Sequence, residues 1–91
     1  MYKIEPTHFF MRQSVLLSPE AKAIIDAKVD MLKENPFRFK RLYYDGLLLF
    51  RIRFSDRRKE KRLVYEVRDD VVRLICILDR KRGYKDLRKY V

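Results

Sequence analysis

With 91 residues, of which 47% are hydrophobic, the chain suits one domain built around a single modest core. Its 23 Lys and Arg against 13 Asp and Glu give a net charge of +10, so nucleic acid is the leading partner and an acidic protein the second. A single cysteine excludes an intrachain disulfide, and the longest apolar run, LLLF at 47–50, is too short to cross a membrane.

The positive charge is concentrated in the second half of the chain. Residues 1–50 contain eight basic and six acidic side chains, whereas residues 51–91 contain fifteen and seven. We therefore expect the partner to meet the C-terminal half. The sequence MYKIEP at the start lacks the cationic start and apolar core of a signal peptide, which indicates a soluble protein of a reducing cytoplasm.

The first predicted elements are a short strand and a helix. The sequence YKIE at 2–5 alternates between apolar and polar residues, which predicts a strand that ends at Pro6. Thr7 can act as an N-cap, so we predict a helix over 8–17. The only histidine, His8, opens this helix, and a two-histidine ribonuclease mechanism is therefore excluded.

A second helix has a stronger start signal. Ser18 can cap it, with Pro19 at its first position, and Asn35 followed by Pro36 ends it. The short connection between the two helices predicts a helical hairpin. Apolar residues recur in the second helix at helical spacing, and these are Ala21, Ile25, Val29 and Leu32.

After Phe39 the apolar period changes to two, which predicts strands at 41–44, 47–54, 62–68 and 71–78. Asp45 and Gly46 are a turn signal, and the charged stretch SDRRKEKR at 55–62 predicts an exposed loop. Cys76 lies in the apolar run VVRLICIL, so its thiol is expected in the core. We predict an α+β fold with one domain, residues 1–91, in which the N-terminal strand and helical hairpin pack on one face of a small antiparallel sheet.

Strand alternation directs a group of arginines to the face opposite the helices. If the apolar residues of two neighbouring strands face the helices, Arg51 and Arg53 on one strand and Arg62 on the next must point away. Ordinary ion pairs are the alternative, because one register places Arg51 opposite Glu66, and a tight turn in the next hairpin places Arg73 there too. One glutamate cannot neutralise four arginines, so we predict an anion-binding face.

The same open face is expected to carry apolar side chains, namely Val64, Ile75 and Ile77. This is too much apolar area for a purely solvated surface. Either the C-terminal sequence YKDLRKYV at 84–91 covers these residues, or they form a groove for an apolar helix or strand of a partner.

Two basic segments, SDRRKEKR at 55–62 and DRKRGY at 79–84, add further cations. Runs of this kind are usually solvated turns. Their surplus charge can also bind phosphates with strong salt dependence, and Tyr84 can stack on a base. The candidate RNA-binding residues of these segments are Arg57, Arg58, Lys59, Lys61, Lys81 and Arg82.

Taken together, several segments resemble the RelE/ParE toxin superfamily over nearly the whole chain. They are YKI at 2–4, LKENPFRFKRL at 32–42, FRIRF at 50–54, KRLVYEV at 61–67 and DRKRGY at 79–84. Likeness to RelE implies the toxin of a type II toxin–antitoxin system, an endoribonuclease that cleaves mRNA in the ribosomal decoding site without a metal or other cofactor. It also implies partners: a RelB-like acidic antitoxin, mRNA and ribosomal RNA, no membrane, and a toxin–antitoxin heterotetramer as one expected assembly.

The resemblance also implies roles for individual residues. By position, the active residues of RelE-like toxins fall on Arg51, Arg53, Arg62, Arg80 and Tyr84. The three strand arginines would hold the RNA backbone and stabilise the transition state, Arg80 would contact the scissile phosphate, and Tyr84 would carry a proton or stack on a base. RelE itself has lysines where this chain has Arg51 and Arg53. A ParE-like inhibitor of DNA gyrase and a non-catalytic nucleic-acid-binding relative are the alternatives.

Overall fold

The computed structural model describes all residues, Met1–Val91, and contains two α-helices and one five-stranded sheet. In chain order the elements are β1 (Lys3–Pro6), α1 (His8–Ser14), α2 (Pro19–Leu32), β2 (Lys40–Tyr44), β3 (Leu47–Asp56), β4 (Lys59–Arg68) and β5 (Val71–Asp79). Two short 3-10 turns, Arg80–Arg82 and Leu87–Lys89, follow β5. The strand order is β1-β5-β4-β3-β2, with β1 parallel to β5 and the other neighbours antiparallel. The predicted α+β fold is confirmed, but the N-terminal strand does not pack on a face of the sheet with the helices, because β1 joins the sheet as an edge strand parallel to β5.

Both helices begin at the predicted caps. The Thr7 hydroxyl accepts a hydrogen bond from the Phe10 amide at 3.1 Å, and the Ser18 hydroxyl accepts one from the Ala21 amide at 3.2 Å. Helix α1 ends at Ser14, three residues before the predicted end, because Ser18 is extended and the residues before it must turn into that conformation. Neither helix is long and apolar enough to cross a membrane.

The predicted loop at 55–62 is wrong, because β3 and β4 continue through it as a long hairpin. Only Arg57 and Arg58 remain as a two-residue turn, with φ angles of 49° and 68°. The residues before and after the turn pair across the strands: Asp56 lies opposite Lys59, and the Ser55 hydroxyl donates to Glu60 Oε1 at 2.7 Å. Charge alone therefore does not distinguish this exposed hairpin end from a loop.

A β-bulge separates the two halves of the β4–β5 ladder. Val64 pairs with Cys76 and Tyr65 with Leu74, which leaves Ile75 as the extra residue. The bulge changes which side chains share a face, because Ile77 joins the core beneath the helices. The prediction that Ile77 lies on the open face is therefore wrong, whereas Val64 and Ile75 do lie there.

The sheet has a core on each face. The larger core lies under the helices and includes Ile25, Leu32 and Tyr65. The smaller core lies on the opposite face, where Leu87 from the C-terminal segment is buried with Cys76. Burial raises the pKa of the Cys76 thiol to about 12, in keeping with its predicted place in the core. Of the two alternatives for this apolar face, the structure has the C-terminal segment covering it, and the full list of buried residues in the smaller core is Leu49, Val64, Ile75, Cys76, Leu78 and Leu87.

Side chains of α1 and its cap close the second half of β5, beyond the end of β1. The Thr7 hydroxyl donates to the Ile75 carbonyl at 2.6 Å. The Gln13 amide contacts both backbone groups of Ile77: its Oε1 accepts from the nitrogen at 2.6 Å, and its Nε2 donates to the oxygen at 3.0 Å. These bonds satisfy backbone groups that the short strand β1 cannot reach.

Candidate nucleic-acid interface

Strand register brings the three predicted strand arginines to one face. Arg53 pairs directly with Arg62, while Arg51 lies two pairs further along, opposite Val64. The alternate residues of β3, such as Ile52, are buried under the helices, so these arginines point away from them. The expectation of a shared face is confirmed. Lys40 pairs with Arg51 from the edge strand, and we call the group Lys40, Arg51, Arg53 and Arg62 the arginine face.

The arginine face has no ion pairs, since no carboxylate oxygen lies within 4.0 Å of any of its four cations. The alternative in which Glu66 sits opposite Arg51 is wrong, because Glu66 pairs with Leu49. Glu66 instead lies 3.4 Å from Arg68 and 3.9 Å from Arg73. The Glu66 carboxylate therefore neutralises charge near Arg68 and Arg73, and the arginine face remains electropositive.

Arg62 is the most enclosed cation of the arginine face. Its Cζ lies 4.8 Å from the centroid of the Tyr84 ring, which places the guanidinium over that ring. Its Nε is buried and has no hydrogen-bond partner. Buried donors are nearly always satisfied, so this unpartnered guanidinium nitrogen, beside a second arginine, has the chemistry to donate to an anion.

A neighbouring cleft collects several of the other predicted residues. Arg80 and Lys81, in the 3-10 turn after β5, meet Arg58 and Lys59 from the end of the long hairpin. None of these four cations has a carboxylate within 4.0 Å. The cleft also includes two carboxylates, so its full lining is Arg58, Lys59, Glu60, Asp79, Arg80 and Lys81.

Three predicted RNA-binding residues are engaged elsewhere. Lys61 lies 2.8 Å from Asp79, and the hydrogen bond from its ammonium holds the pKa of that carboxyl below its usual range. Arg82 is bonded to Asp86 and lowers the pKa of that carboxyl to about 2. Arg57 turns back to donate to a backbone carbonyl of the helical connection, that of Leu16, at 3.0 Å. These three side chains fix the hairpin and the C-terminal segment in place.

Sequence reasoning missed Lys40. The predicted strand begins one residue too late, at 41, so the parity of Lys40 was not considered. The alternation of KRLYY at 40–44 contains the signal, because Leu42 and Tyr44 pack against the smaller core and Lys40 shares their parity.

The sequence matches no protein-family profile and no curated protein. Its fold does match solved structures. A chain of the E. coli RelBE toxin–antitoxin complex superposes with a TM-score of 0.73 at 20% identity, covering 86% of this chain and 95% of that one. A double arginine-to-alanine mutant of E. coli toxin RelE in the free state superposes with a TM-score of 0.75 at 20% identity, covering 90% and 86%. This chain therefore has the fold of the toxin RelE.

Proposed function

We propose that this chain is the toxin of a toxin–antitoxin system and cleaves mRNA on the ribosome without a metal ion. The RelE fold supports the toxin role. The observation that carries the proposal is the direct pairing of Arg53 with Arg62 in a group of cations that lacks carboxylate partners. Like charges opposite each other in a sheet are unfavourable, and an anionic ligand between Arg53 and Arg62 would offset this cost.

The chemistry that fits these residues is attack by a ribose 2′-hydroxyl on the adjacent phosphate. The new bond forms between that oxygen and phosphorus, and the bond to the 5′-oxygen breaks, which leaves a 2′,3′-cyclic phosphate and a 5′-hydroxyl. Negative charge grows on the non-bridging oxygens, where the forks of Arg53 and Arg62 stabilise it. Arg51 and Arg80 would hold the flanking backbone and the scissile phosphate.

The step moves two protons: the leaving 5′-oxygen takes one from Tyr84, and the 2′-hydroxyl gives its own to a base supplied by the ribosome. Arginine keeps its proton at neutral pH and is a poor general acid. Tyr84 lies under the guanidinium of Arg62, next to the proposed phosphate position, and can give a proton to the leaving oxygen or stack on a base. A site with so few bases requires ribosomal RNA to align the 2′-hydroxyl, so naked message should be cut poorly.

Such a toxin requires a partner that keeps it inactive. The similar E. coli protein was solved in a toxin–antitoxin complex. For this chain we propose an acidic, RelB-like antitoxin that covers the arginine face, since a net charge of +10 favours an acidic segment. The proposed partners are then the antitoxin, in a heterotetramer or a smaller complex, and the ribosome with its mRNA in the cytoplasm.

The proposal is tested by inducing the chain in cells and mapping message ends by primer extension. We expect new ends within translated reading frames. Arg62→Ala should abolish them, and Arg80→Ala should do the same. Arg73→Ala is the matched control, because Arg73 is an exposed strand arginine on the same face whose neighbour is Glu66, and it should cut normally.

Two results would contradict this function. One is message ends that are unchanged in a folded Arg62→Ala protein, with folding checked by urea unfolding. The other is an absence of cleavage together with inhibition of gyrase supercoiling by the purified protein, which would establish the binding module instead.

A further inference from the structure

The outer strand β2 carries a second group of exposed side chains, on the face opposite the arginine face. Arg41 pairs with Phe50 and Tyr43 with Leu48, so both side chains point to the side of the sheet that carries the helices. Helix α2 packs over β3, and the side chains of Arg41 and Tyr43 on β2 are exposed. Tyr43 is 87% exposed, the highest value among the large apolar side chains after Met1.

The guanidinium of Arg41 lies over one face of the Tyr43 ring. Its Cζ lies 4.9 Å from the centroid of Tyr43 and 6.0 Å from that of Phe50, so one guanidinium contacts both rings. Phe37, half exposed, packs edge-on against Phe50 with centroids 5.8 Å apart. An aromatic ring that is almost fully exposed gains little from packing, so core stability does not account for Tyr43. What remains is a flat, exposed ring beside one guanidinium.

The charge around Tyr43 selects a polyanion. Arg38, Lys40 and Arg41 lie within four positions, and no carboxylate oxygen is within 4.0 Å of any of them. Lys40 points to the arginine face, opposite Arg51, whereas its neighbour Arg41 points to the other face. Positive charge therefore continues around the edge of the sheet. A second copy of this chain, with the same net charge of +10, would be repelled from it.

We propose that Tyr43, supported by Arg41, is a stacking platform for an unpaired base of single-stranded RNA, and that Arg38 and Lys40 contact the RNA backbone where it passes around the β2 edge. Every base has an aromatic face, so such a platform is tolerant of sequence, and cations beside it bind the backbone. The inference rests on the proposed function for its ligand, and it adds a contact outside the catalytic group. Message and ribosomal RNA share this chemistry.

The test measures binding of a labelled short oligoribonucleotide by fluorescence anisotropy, with Tyr43→Ala and Tyr43→Phe compared with the unaltered chain. We expect Tyr43→Ala to weaken binding on the order of 10-fold and Tyr43→Phe to bind normally, because the ring is kept. An oligonucleotide of the same length with abasic positions should bind both the unaltered chain and Tyr43→Ala with equal, weakened affinity. Equal affinities of Tyr43→Ala and the unaltered chain for the complete oligonucleotide would overturn the inference.

Ribosome binding separates the two sources of RNA. If Tyr43→Ala weakens co-sedimentation with ribosomes that lack message, the base belongs to ribosomal RNA; a loss confined to ribosomes carrying message assigns it to mRNA. The two proposals also fail differently. If the unaltered chain does not cleave message but Tyr43→Ala binds RNA more weakly, the platform is supported and the nuclease function is refuted. If the unaltered chain cleaves message and Tyr43→Ala binds RNA normally, only the platform is refuted.

Discussion

At the scale of single residues, the main feature is a pair of arginines placed where they repel each other. Arg53 and Arg62 are direct cross-strand partners, and neither has a carboxylate within 4.0 Å. Alternation along each strand is sufficient to predict their shared face, because side-chain parity is fixed by the backbone. Their exact opposition could not be predicted, since it depends on a register set by a turn that the charged sequence concealed.

The repulsion predicts that Arg53→Thr stabilises the protein. The substitution removes a like-charge pair and introduces a β-branched residue. We therefore expect the free energy of unfolding to rise by about 0.5 kcal/mol, while cleavage falls. Urea unfolding at low salt measures the first effect, which should shrink at high salt because the charges are then screened.

Arg73→Thr is the control for this prediction. Arg73 lies on the same face but opposite Glu66, 3.9 Å from its carboxylate, so its removal should leave stability unchanged or slightly lower. An Arg53→Thr protein that is no more stable than this control would show that the arginine pair is not strained.

At the scale of elements, the end of the β3–β4 hairpin has an unusual composition. Both turn residues have positive φ, as type I′ turns require, yet they are arginines rather than the Asn and Gly that such turns favour. Propensity alone therefore could not locate the turn. The bulge at Ile75 was equally hidden, because VVRLICIL has no glycine or other sign of an irregular residue. The capped helix starts, by contrast, have local signals and were predicted to the residue.

Arg58 gives a test of the hairpin end. Its φ is 68°, so Arg58→Gly should relieve strain and stabilise the chain by about 0.5–1 kcal/mol, part of the relief being offset by the entropy of glycine. Arg58→Ala removes the same charge but keeps the strain. Both should weaken RNA binding equally, and only the glycine variant should resist more urea. Equal stabilities would mean that the turn is not strained.

The C-terminal segment gives a prediction about pH. Hydrogen bonds from Arg82 lower the pKa of Asp86 to about 2, against an ordinary value of 3.8. The folded state thus binds this proton less readily than the unfolded state, and its contribution to stability is present above about pH 4 and lost as pH falls towards 2. Asp86→Asn should flatten the pH dependence of unfolding in that window, and Arg82→Ala should do the same. A slope equal to that of the unaltered chain in both variants would contradict the assignment.

At the scale of the whole molecule, the helical layer and the arginine face lie on opposite faces of the sheet. Lys40 and Arg41 continue the positive charge of the arginine face around the β2 edge. Composition predicted a polyanionic partner, and the order of helices before strands predicted the layers. Leu87 covers the apolar part of the open face in the structure, but a short segment without an apolar period has no docking signal, so the sequence does not decide between coverage by residues 84–91 and a groove for a partner.

The position of a charge should therefore matter more than the total. Arg53→Ala and Lys22→Ala each lower the net charge of +10 by one, but Lys22 is exposed on α2, away from the arginine face. The test plots log K for ribosome binding against log salt concentration. Arg53→Ala should reduce the steepness of this plot by about 0.7, the value for one phosphate contact, and Lys22→Ala should leave it unchanged. Identical slopes in the two variants would indicate non-specific attraction.

The amide of Gln13 links the helical layer to the sheet in a way that surface packing does not. Because this one side chain takes both backbone groups of Ile77, it stands where another strand would otherwise join, and helix α1 cannot leave the sheet without uncovering that edge. Loss of the helix would expose a template for intermolecular pairing at the same moment. Gln13 therefore links the anchoring of helix α1 to the protection of the β5 edge.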